Sequence, residues 1–404
     1  MEVEACPTWT PGANRGIRIP LGHPPAVFGM PGSHALATQV LGHLGWQEGV
    51  CTFKLFGNGE ISAKIEQNVT NHDVFVICSR DDVESEVNFA FMQLLFLIDS
   101  LKGESPHRLT VIIPCLEYAR QDRRMVAGEA IPPKLLLRCM KIAGADRFVV
   151  VDLHNPAQAA FSPDGAVLDE LSAVRYLADF IRANVPQFSE DQVLVCATDG
   201  GGMKFTRRMA DELRTGFMMA DRFRREAEGD REIRIISDVN IDHIKGIIVV
   251  DDMFDTCGSL AGVCEALRVF APKAQLYGVA IHGYFSGGAN LQIKKLVDAG
   301  CLEWVAVTNS ISQRGALQRF DDLGMIDRLK VVDISRLLAG AIIRIHLRTS
   351  VNLSRFRGYG PATHDPVLQE AGLVPPHQYV YVVPGQNEVA GPLVPLKRKS
   401  NDWD

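Results

Sequence analysis

The chain has 404 residues, a length that predicts two domains with additional terminal segments. Hydrophobic residues make up 47% and charged residues 22%, which excludes a disordered, collagen-like or disulfide-scaffold protein over most of the length. The net charge of −6 provides no overall basic surface for nucleic acid or an anionic membrane, so we expect neither as a partner.

The cysteines point to a reducing compartment. They number nine, are scattered along the chain and lie mostly in apolar segments, a pattern typical of free thiols. No segment reaches the roughly 18 uncharged apolar residues that a membrane helix needs. The acidic N-terminus also lacks the apolar core of a signal peptide. The sequence therefore predicts a cytoplasmic protein, with an organelle matrix as the alternative.

Prolines concentrate at the two ends of the chain, with five in residues 1–27 and seven in residues 357–404. These segments lack the periodic apolar pattern of helices and strands. We therefore predict a Pro-rich N-terminal extension, residues 1–27, and a Pro-rich C-terminal tail, residues 351–404.

Between these ends, short β-branched runs alternate with segments that carry apolar residues at helical spacing. The runs are apolar throughout, which is typical of parallel strands covered by helices on both faces. The order predicts two consecutive doubly wound, mostly parallel α/β domains, residues 28–170 and 171–350, divided in the loop 165–175. The predicted strands are 73–78, 109–114, 147–153, 192–199, 245–252, 275–285, 303–310 and 329–334.

The segment GIIVVDDMFDTCGSL, residues 246–260, carries the strongest chemical signal. Its three acids follow a buried strand, where carboxylates can accept hydrogen bonds from sugar hydroxyls or hold a hydrated Mg²⁺. The turn after them directs N–H groups and two hydroxyls to one spot at a helix N-terminus, which suits a phosphate monoester. An ordinary β–α turn with Ser259 as N-cap is the alternative. The candidate sugar-phosphate site consists of Asp251, Asp252, Asp255, Thr256, Cys257, Gly258 and Ser259.

This segment closely resembles the phosphoribosyl-diphosphate motif of type I phosphoribosyltransferases and of ribose-phosphate diphosphokinases. Further segments resemble the diphosphokinases alone, in collinear order over roughly residues 26–350. The resemblance implies two domains of the type I phosphoribosyltransferase kind. It also implies transfer of the diphosphoryl group of Mg-ATP to the anomeric hydroxyl of ribose 5-phosphate, which gives 5-phosphoribosyl 1-diphosphate and AMP for nucleotide biosynthesis. The further segments are FGNGE (56–60), IIPCLEYARQDRR (112–124), VVDLHNPAQAAF (151–161) and CATDGGGMKFTRR (196–208).

Two segments are candidates for binding ATP. Arg120 and Gln121 follow a strand, where a guanidinium and an amide suit nucleotide phosphates and ribose, although a solvated surface run is the alternative. Phe56 can stack on adenine while Asn58 and Glu60 contact its amino edge, and a plain hairpin turn is the alternative there. The resemblance implies that this second segment completes the nucleotide pocket of a neighbouring subunit. It therefore implies a homo-oligomer.

His154 and Asp199 each end a predicted strand, one in each half of the chain. A lone histidine at such a position is more often a structural hydrogen-bonding group. The resemblance implies instead that both residues bind the Mg²⁺ that accompanies the ATP phosphates.

Residues 217–234 correspond to a basic arm of the family, which we expect to be a mobile loop that closes over the substrates. Where the family usually places a catalytic Lys and, two residues later, an Arg, this chain has Arg222 and Arg224. We expect both to stabilise transition-state charge, and a solvated loop is the alternative. Pro156 and Ala159 replace the Ser and Gln that the family commonly has near its regulatory phosphate site, so we expect a weak response to phosphate and ADP.

Two other functions stay open at this level. The Arg222 replacement is compatible with a catalytically silent subunit that restrains active subunits. A phosphoribosyltransferase acting on a base would leave the first domain and FGNGE unexplained. AMP release from ATP that depends on ribose 5-phosphate separates the three.

Overall fold

The computed structural model describes residues 25–81, 87–224 and 231–351, with the backbone alone for residues 222–224 and 231–232. All eight predicted strands are confirmed. In chain order the strands are β1 (Ala26–Gly29), β2 (Cys51–Leu55), β3 (Ile61–Ile65), β4 (Asp73–Ile77), β5 (Arg108–Ile113), β6 (Arg147–Val151), β7 (Val167–Leu171), β8 (Val193–Ala197), β9 (Gly216–Arg224), β10 (Arg231–Ile236), β11 (Gly246–Phe254), β12 (Gln275–Gly283), β13 (Trp304–Thr308) and β14 (Leu329–Val332). The helices are α1 (His34–Leu44), α2 (Val87–Gly103), α3 (Pro132–Ala143), α4 (Val174–Asn184), α5 (Met203–Leu213), α6 (Gly258–Phe270), α7 (Ala289–Asp298), α8 (Arg314–Asp322) and α9 (Ser335–His346), with short 3-10 helices at Pro31–Ser33, Pro156–Phe161 and Ile326–Arg328.

The strands form two large sheets and one hairpin. The first sheet has the order β1-β4-β5-β6-β7, and every neighbouring pair is parallel. The second has the order β10-β9-β8-β11-β12-β13-β14 and is parallel except for its outer pair, β10 and β9. Strands β2 and β3 form a separate antiparallel hairpin. The predicted α/β class with mostly parallel sheets is confirmed.

Helices cover both faces of both sheets, as the continuous apolar strands require. Helices α2 and α3 and the β2-β3 hairpin pack on the outer face of the first sheet. Helices α6, α7 and α8 pack on the outer face of the second. Helices α1, α4, α5 and α9 lie between the sheets, in one apolar core that includes residues of both. Across residues 25–81, 87–224 and 231–351, no helix is long and apolar enough to cross a bilayer.

Two predicted boundaries are wrong in detail. The segment 165–175, predicted as a loop, contains the edge strand β7, so the first sheet extends to Leu171. This strand holds acidic residues because Arg147 of the neighbouring strand donates to Asp169 at 2.9 Å. The N-terminal extension was predicted to include Ala26 and Val27, which belong to β1. The rest of that extension and nearly all of the C-terminal tail lie outside the described residues.

The basic arm is also not a loop over its described length. Its backbone forms the antiparallel strands β9 and β10, which continue the edge of the second sheet. Asp221 is opposite Arg234 in this pair, an arrangement of unlike charges that favours pairing on an exposed edge. Residues 225–230 lie outside the described part of the chain.

Candidate active site

The carboxyl ends of the two sheets meet at a contact between His154 and Asp252. His154 follows β6 of the first sheet, and Asp252 lies near the end of β11 in the second. Nδ1 of His154 lies 2.6 Å from Oδ2 of Asp252. This hydrogen bond raises the pKa of His154 against the opposing effect of burial. The contact brings the predicted metal ligand of one half next to the predicted sugar site of the other.

Asp251 and Asp252 are adjacent, but their pKa values shift in opposite directions. Burial, followed by the charge of Asp252, raises the pKa of Asp251, whose Oδ2 accepts a hydrogen bond from Thr198 Oγ1 at 2.7 Å. Burial acts to raise the pKa of Asp252, but the hydrogen bond from His154, the charge of His154 and the hydrogen bond with Asp251 together outweigh burial and lower that pKa. The two pKa shifts have opposite directions, so Asp252 is the more acidic carboxyl group of the pair.

Helix α6 begins directly behind these acids, and no side chain forms a cap hydrogen bond at its start in the described structure. The N-cap is Cys257, whose φ of 60° lies in the left-handed region. That backbone conformation costs a residue with a Cβ roughly 1–2 kcal/mol. The alternative with Ser259 as N-cap is wrong, because Ser259 lies within the first helical turn. The free N–H groups of this turn are suited to bind an anion.

A second contact joins the two halves beside the first. Nη1 of Arg120 lies 2.5 Å from Oδ2 of Asp255, and Ser286 Oγ donates to the other carboxylate oxygen. The Arg120 side chain is 49% exposed, and ion pairs at that exposure are worth about 0–1 kcal/mol. A phosphate could therefore take the place of the carboxylate on Arg120 at little cost. Gln121, the next residue in the chain, is also exposed to solvent.

Asp199 follows β8 and stabilises the glycine turn before α5. Its Oδ1 accepts hydrogen bonds from the N–H groups of Gly201 at 2.8 Å and Gly202 at 3.1 Å. Its charge also contributes to the raised pKa of Asp251, after burial and the charge of Asp252, so the two carboxylates interact. Asp199 therefore lies near the acidic motif, and among the described residues no hydrogen bond or ion pair joins it to His154, so its role as a metal ligand stays a prediction.

These donors fit a metal that arrives with its own oxygen ligands. Within the described ranges, no three His, Cys, Asp or Glu side chains are grouped so that they could hold an ion. Asp252 occupies Nδ1 of His154, so Nε2 is the nitrogen left for a cation. Both bonds to Asp199 use Oδ1, which leaves Oδ2. One imidazole and one carboxylate suit a Mg²⁺ whose remaining ligands are phosphate oxygens and water.

The hairpin residues predicted to bind adenine lie apart from this cleft. Phe56 is 40% exposed at the tip of β2-β3, and Lys54 Nζ lies 4.8 Å from its ring centre. The loop closes through Phe56 and Glu60, and Asn58 accepts a hydrogen bond from the Glu60 N–H at 3.2 Å. In the described structure the hydrogen bonds and ring contact of Phe56, Asn58 and Glu60 are made within the hairpin itself.

Arg222 and Arg224 lie near the end of β9, the strand beside β8. Their side chains lie outside the described part of the structure, so their role stays a prediction.

Two protein-family models match this chain. One described as the N-terminal domain of ribose phosphate pyrophosphokinase matches residues 26–144, and one described as the phosphoribosyl synthetase-associated domain matches residues 227–357. A ribose-phosphate pyrophosphokinase of Staphylococcus saprophyticus is 30% identical over 327 residues, which cover 81% of this chain and 95% of that protein. The chain belongs to the ribose-phosphate pyrophosphokinase family.

A structural comparison agrees with this assignment. The pyrophosphokinase chain matches the crystal structure of phosphoribosylpyrophosphate synthetase from Mycobacterium smegmatis with a TM-score of 0.69 and 29% identity. That match covers 81% of this chain and 100% of the other. The first-domain match accounts for the half of the chain that a base phosphoribosyltransferase would leave unexplained. Among the site residues whose side chains the structure describes, none favours the silent subunit.

Several polar residues of this pyrophosphokinase site were missed from sequence. Thr198 directly follows β8 and Ser286 follows β12, so both satisfy the rule that functional groups follow strand ends. Asn155 and Gln158, just after His154, form a capping box at the 3-10 helix Pro156–Phe161. The Asn-x-x-Gln spacing was the available signal for that pair.

Proposed function

We propose that this pyrophosphokinase transfers the diphosphoryl group of ATP to the anomeric hydroxyl of ribose 5-phosphate and releases AMP. The product, 5-phosphoribosyl 1-diphosphate, serves nucleotide biosynthesis. The contact between His154 and Asp252 carries the proposal, because it joins the nucleotide side of one sheet to the sugar side of the other within 2.6 Å. Such a reaction needs two anionic substrates held in line and their charge neutralised, with little covalent chemistry from the protein.

Ribose 5-phosphate binds in the second half of the chain. Asp251 and Asp252 accept hydrogen bonds from the ribose hydroxyls, and Asp255 contacts the same ribose. The 5-phosphate occupies the turn of Thr256, Cys257, Gly258 and Ser259. The uncapped start of α6 supports this assignment, since its N–H groups have no side-chain acceptor in the described structure.

ATP binds mainly from the first half. Arg120 and Gln121 contact its phosphates and ribose, and the exposed Arg120 side chain supports this role. Phe56, Asn58 and Glu60 contact the adenine of a neighbouring subunit, which makes the active enzyme a homo-oligomer. Their exposure at a hairpin tip, away from their own cleft, supports a pocket shared between subunits.

His154 and Asp199 would hold a Mg²⁺ that is bound to the ATP phosphates. When bound, it neutralises phosphate charge and orients the diphosphoryl group. Asp252 orients the His154 ring by holding Nδ1, as carboxylates commonly do for metal-binding histidines. Arg222 and Arg224, on the strand next to β8, add positive charge to the transition state.

A first domain that begins at Ala26 and ends at Leu171, a second domain that follows it, and the cytoplasmic location are part of the same proposal. The end of the first sheet at Leu171 supports the division. The eight cysteines in the described residues are all free, which supports a reducing compartment.

AMP release that depends on ribose 5-phosphate tests the function. The parent protein should release AMP only when ATP, Mg²⁺ and ribose 5-phosphate are all present. The double variant Asp251→Asn with Asp252→Asn should raise the KM for ribose 5-phosphate at least tenfold. Asp298→Asn is the control, because Asp298 is paired with Lys294 within α7. A parent that releases no AMP, or a double variant with parental kinetics, would overturn the proposal.

A further inference from the structure

The backbone that carries Arg120 and Gln121 is held by the loop that follows His154. Gln158 of that loop is completely buried. Its Nε2 donates to the carbonyl of Ala119 at 2.6 Å, and its Oε1 accepts from the N–H of Asn155 at 3.4 Å. A buried amide with both ends bonded has little freedom to move. The residue just before Arg120 is therefore fixed by a side chain from the neighbouring strand end.

Asn155 makes the matching contact on the other side. Its Nδ2 donates to Oδ2 of Asp122 at 2.7 Å, while its Oδ1 accepts the N–H of Ala157 at 3.1 Å and caps the 3-10 helix. Asp122 directly follows Gln121. The nucleotide residues thus lie between two anchored positions, Ala119 and Asp122.

Arg120 and Gln121 have no comparable support from packing. Both are exposed, and the residues that follow, 123–130, are exposed as well. The turn before them is tight, because the Gln121 N–H donates to the carbonyl of Tyr118, whose φ is 62°. Long exposed side chains lose conformational entropy when they bind a ligand, and a fixed backbone reduces what remains to be ordered.

We propose that Asn155 and Gln158 are positioning residues for the nucleotide. They hold the backbone on both sides of Arg120 and Gln121, and they do so from the loop of His154. This keeps a constant distance between the Arg120 guanidinium, which contacts phosphate, and the His154 imidazole, which contacts the metal. The inference rests on the proposed function and assigns a role to two residues that contact neither substrate.

An exchange of the two interacting groups tests the contact to Asp122. Asn155→Asp keeps the acceptor that caps Ala157 but replaces the Nδ2 donor with a second carboxylate facing Asp122. We expect Mg-ATP affinity, measured by titration calorimetry, to fall about tenfold, with less than a twofold change for ribose 5-phosphate. Adding Asp122→Asn restores an amide and a carboxylate in reversed order, and should recover most of the loss. Asn184→Asp on α4, whose Nδ2 donates to the Phe180 carbonyl at 2.8 Å, is the control for the substitution itself.

Gln158→Met provides a second, independent variant of similar shape that cannot bond to Ala119. It should also weaken Mg-ATP more than ribose 5-phosphate, with kcat less affected than the KM for ATP. Parental ATP affinity in both single variants, or an exchange variant that folds but recovers nothing, would overturn the positioning role. If the parent releases AMP while this happens, the proposed function stands and only the inference fails. If the parent releases none, the function fails, and calorimetry still decides the inference.

Discussion

Two contacts between an aspartate and a histidine join the halves of the molecule, at opposite ends of the sheets. At the carboxyl ends, His154 Nδ1 lies 2.6 Å from Asp252. At the amino ends, His346 Nδ1 of α9 lies 2.7 Å from Oδ2 of Asp73, which also accepts from Arg108 at 2.9 Å. The residue types and distances are nearly the same. The difference is exposure: the side chains are 33% and 19% exposed at the carboxyl end but 3% and 4% at the amino end.

Burial separates a structural contact from a functional one. The amino-end group is closed, and Arg108 also donates to the carbonyl of Ile345, which ties β5 to α9. The carboxyl-end group has a free helix start and exposed donors beside it, so a ligand can reach its charges. Charge chemistry alone would have selected both groups as candidate sites. Substitutions at the amino-end contact should therefore change the stability of the protein, and substitutions at the carboxyl-end contact should change substrate binding.

Asp73→Asn should produce the largest effect, and the effect should be on stability. Removing one partner of a buried ion pair leaves the other charge unpaired, and we expect a loss of about 3 kcal/mol in the free energy of unfolding. Asp169→Asn is the control, because Arg147 bonds to Asp169 within one sheet at 2.9 Å and burial raises the pKa of Asp169. It should cost less than about 1 kcal/mol. Equal losses in urea unfolding would contradict the special role of the amino-end contact.

The loss of stability in Asp73→Asn should also depend on pH. Burial acts to raise the pKa of Asp73, but the hydrogen bond from His346 and the charge of Arg108 outweigh it and hold that pKa below its usual value. The stabilisation is therefore complete above the unfolded-state pKa of about 3.9 and is lost as the pH falls through the folded-state value. The difference between parent and Asp73→Asn should be full at neutral pH and should shrink below about pH 4.

Alanine at Arg222 or Arg224 should reduce turnover roughly 10²–10³-fold, because each would remove a charge that acts mainly in the transition state. The KM values for ATP and ribose 5-phosphate should change little. Arg234→Ala, on the partner strand β10, is the control. Normal turnover in either variant would show that the arm has no part in the chemistry at the carboxyl end.

His154→Ala should weaken Mg-ATP binding about tenfold, the equivalent of about 1.4 kcal/mol, with a smaller effect on ribose 5-phosphate. Thermal unfolding should stay close to that of the parent, since this contact is exposed. His34→Ala removes a comparable contact at 3.2 Å to Glu48, beside the edge strand β1, which β4 and β5 separate from β6, and should leave both affinities unchanged. Equal loss for both substrates, or a large loss of stability, would assign His154 the structural role that we give to His346.

Tyr284→Phe tests a further contact between the halves. The hydroxyl lies 3.1 Å from Cys115 Sγ and donates to Glu117 at 3.5 Å, and burial raises the pKa of Tyr284. Its removal should lower the free energy of unfolding by about 1 kcal/mol. The loss should be smaller in a Cys115→Ala background if this pair is the main interaction. A loss of the same size in both backgrounds would assign the effect to another group.

The smallest effect is expected from inorganic phosphate. Pro156, at the start of its 3-10 helix, has no N–H to donate, and Ala159 has no polar side chain. Activity measured against phosphate concentration at fixed Mg²⁺ should therefore stay nearly flat. Strong activation at low phosphate, with ADP inhibition that is not competitive with ATP, would show that other residues form a regulatory site.

The sequence predicted the central strands because burial on both faces requires continuous apolar runs, as in β4, β8 and β11. It missed strands at the edges. β7 carries Asp169, and β9 and β10 carry alternating charges, because one side of such strands is accessible to solvent and can hold paired ions. The many charged residues of these segments were interpreted as a sign of loops, but the segments are strands at the edges of the sheets.

For the candidate site, the sequence was sufficient to predict which residues follow the ends of strands. Asp251, Asp252 and His154 were found in this way, because the carboxyl ends of parallel strands share an edge. The pairing of His154 with Asp252 could not be predicted, since it depends on how two separate sheets are oriented. The same holds for Arg120 with Asp255, two residues that are 135 positions apart in the chain.

The helical layer between the two sheets has a consequence for how the protein moves and unfolds. Because α1, α4, α5 and α9 share one apolar core with both sheets, opening the halves like a hinge would expose that core to water. Substrate capture must therefore rely on local changes at the rim of the cleft, and the two sheets should lose their structure in a single cooperative step. A destabilising substitution in one half would for that reason lower the folded population of the other half equally.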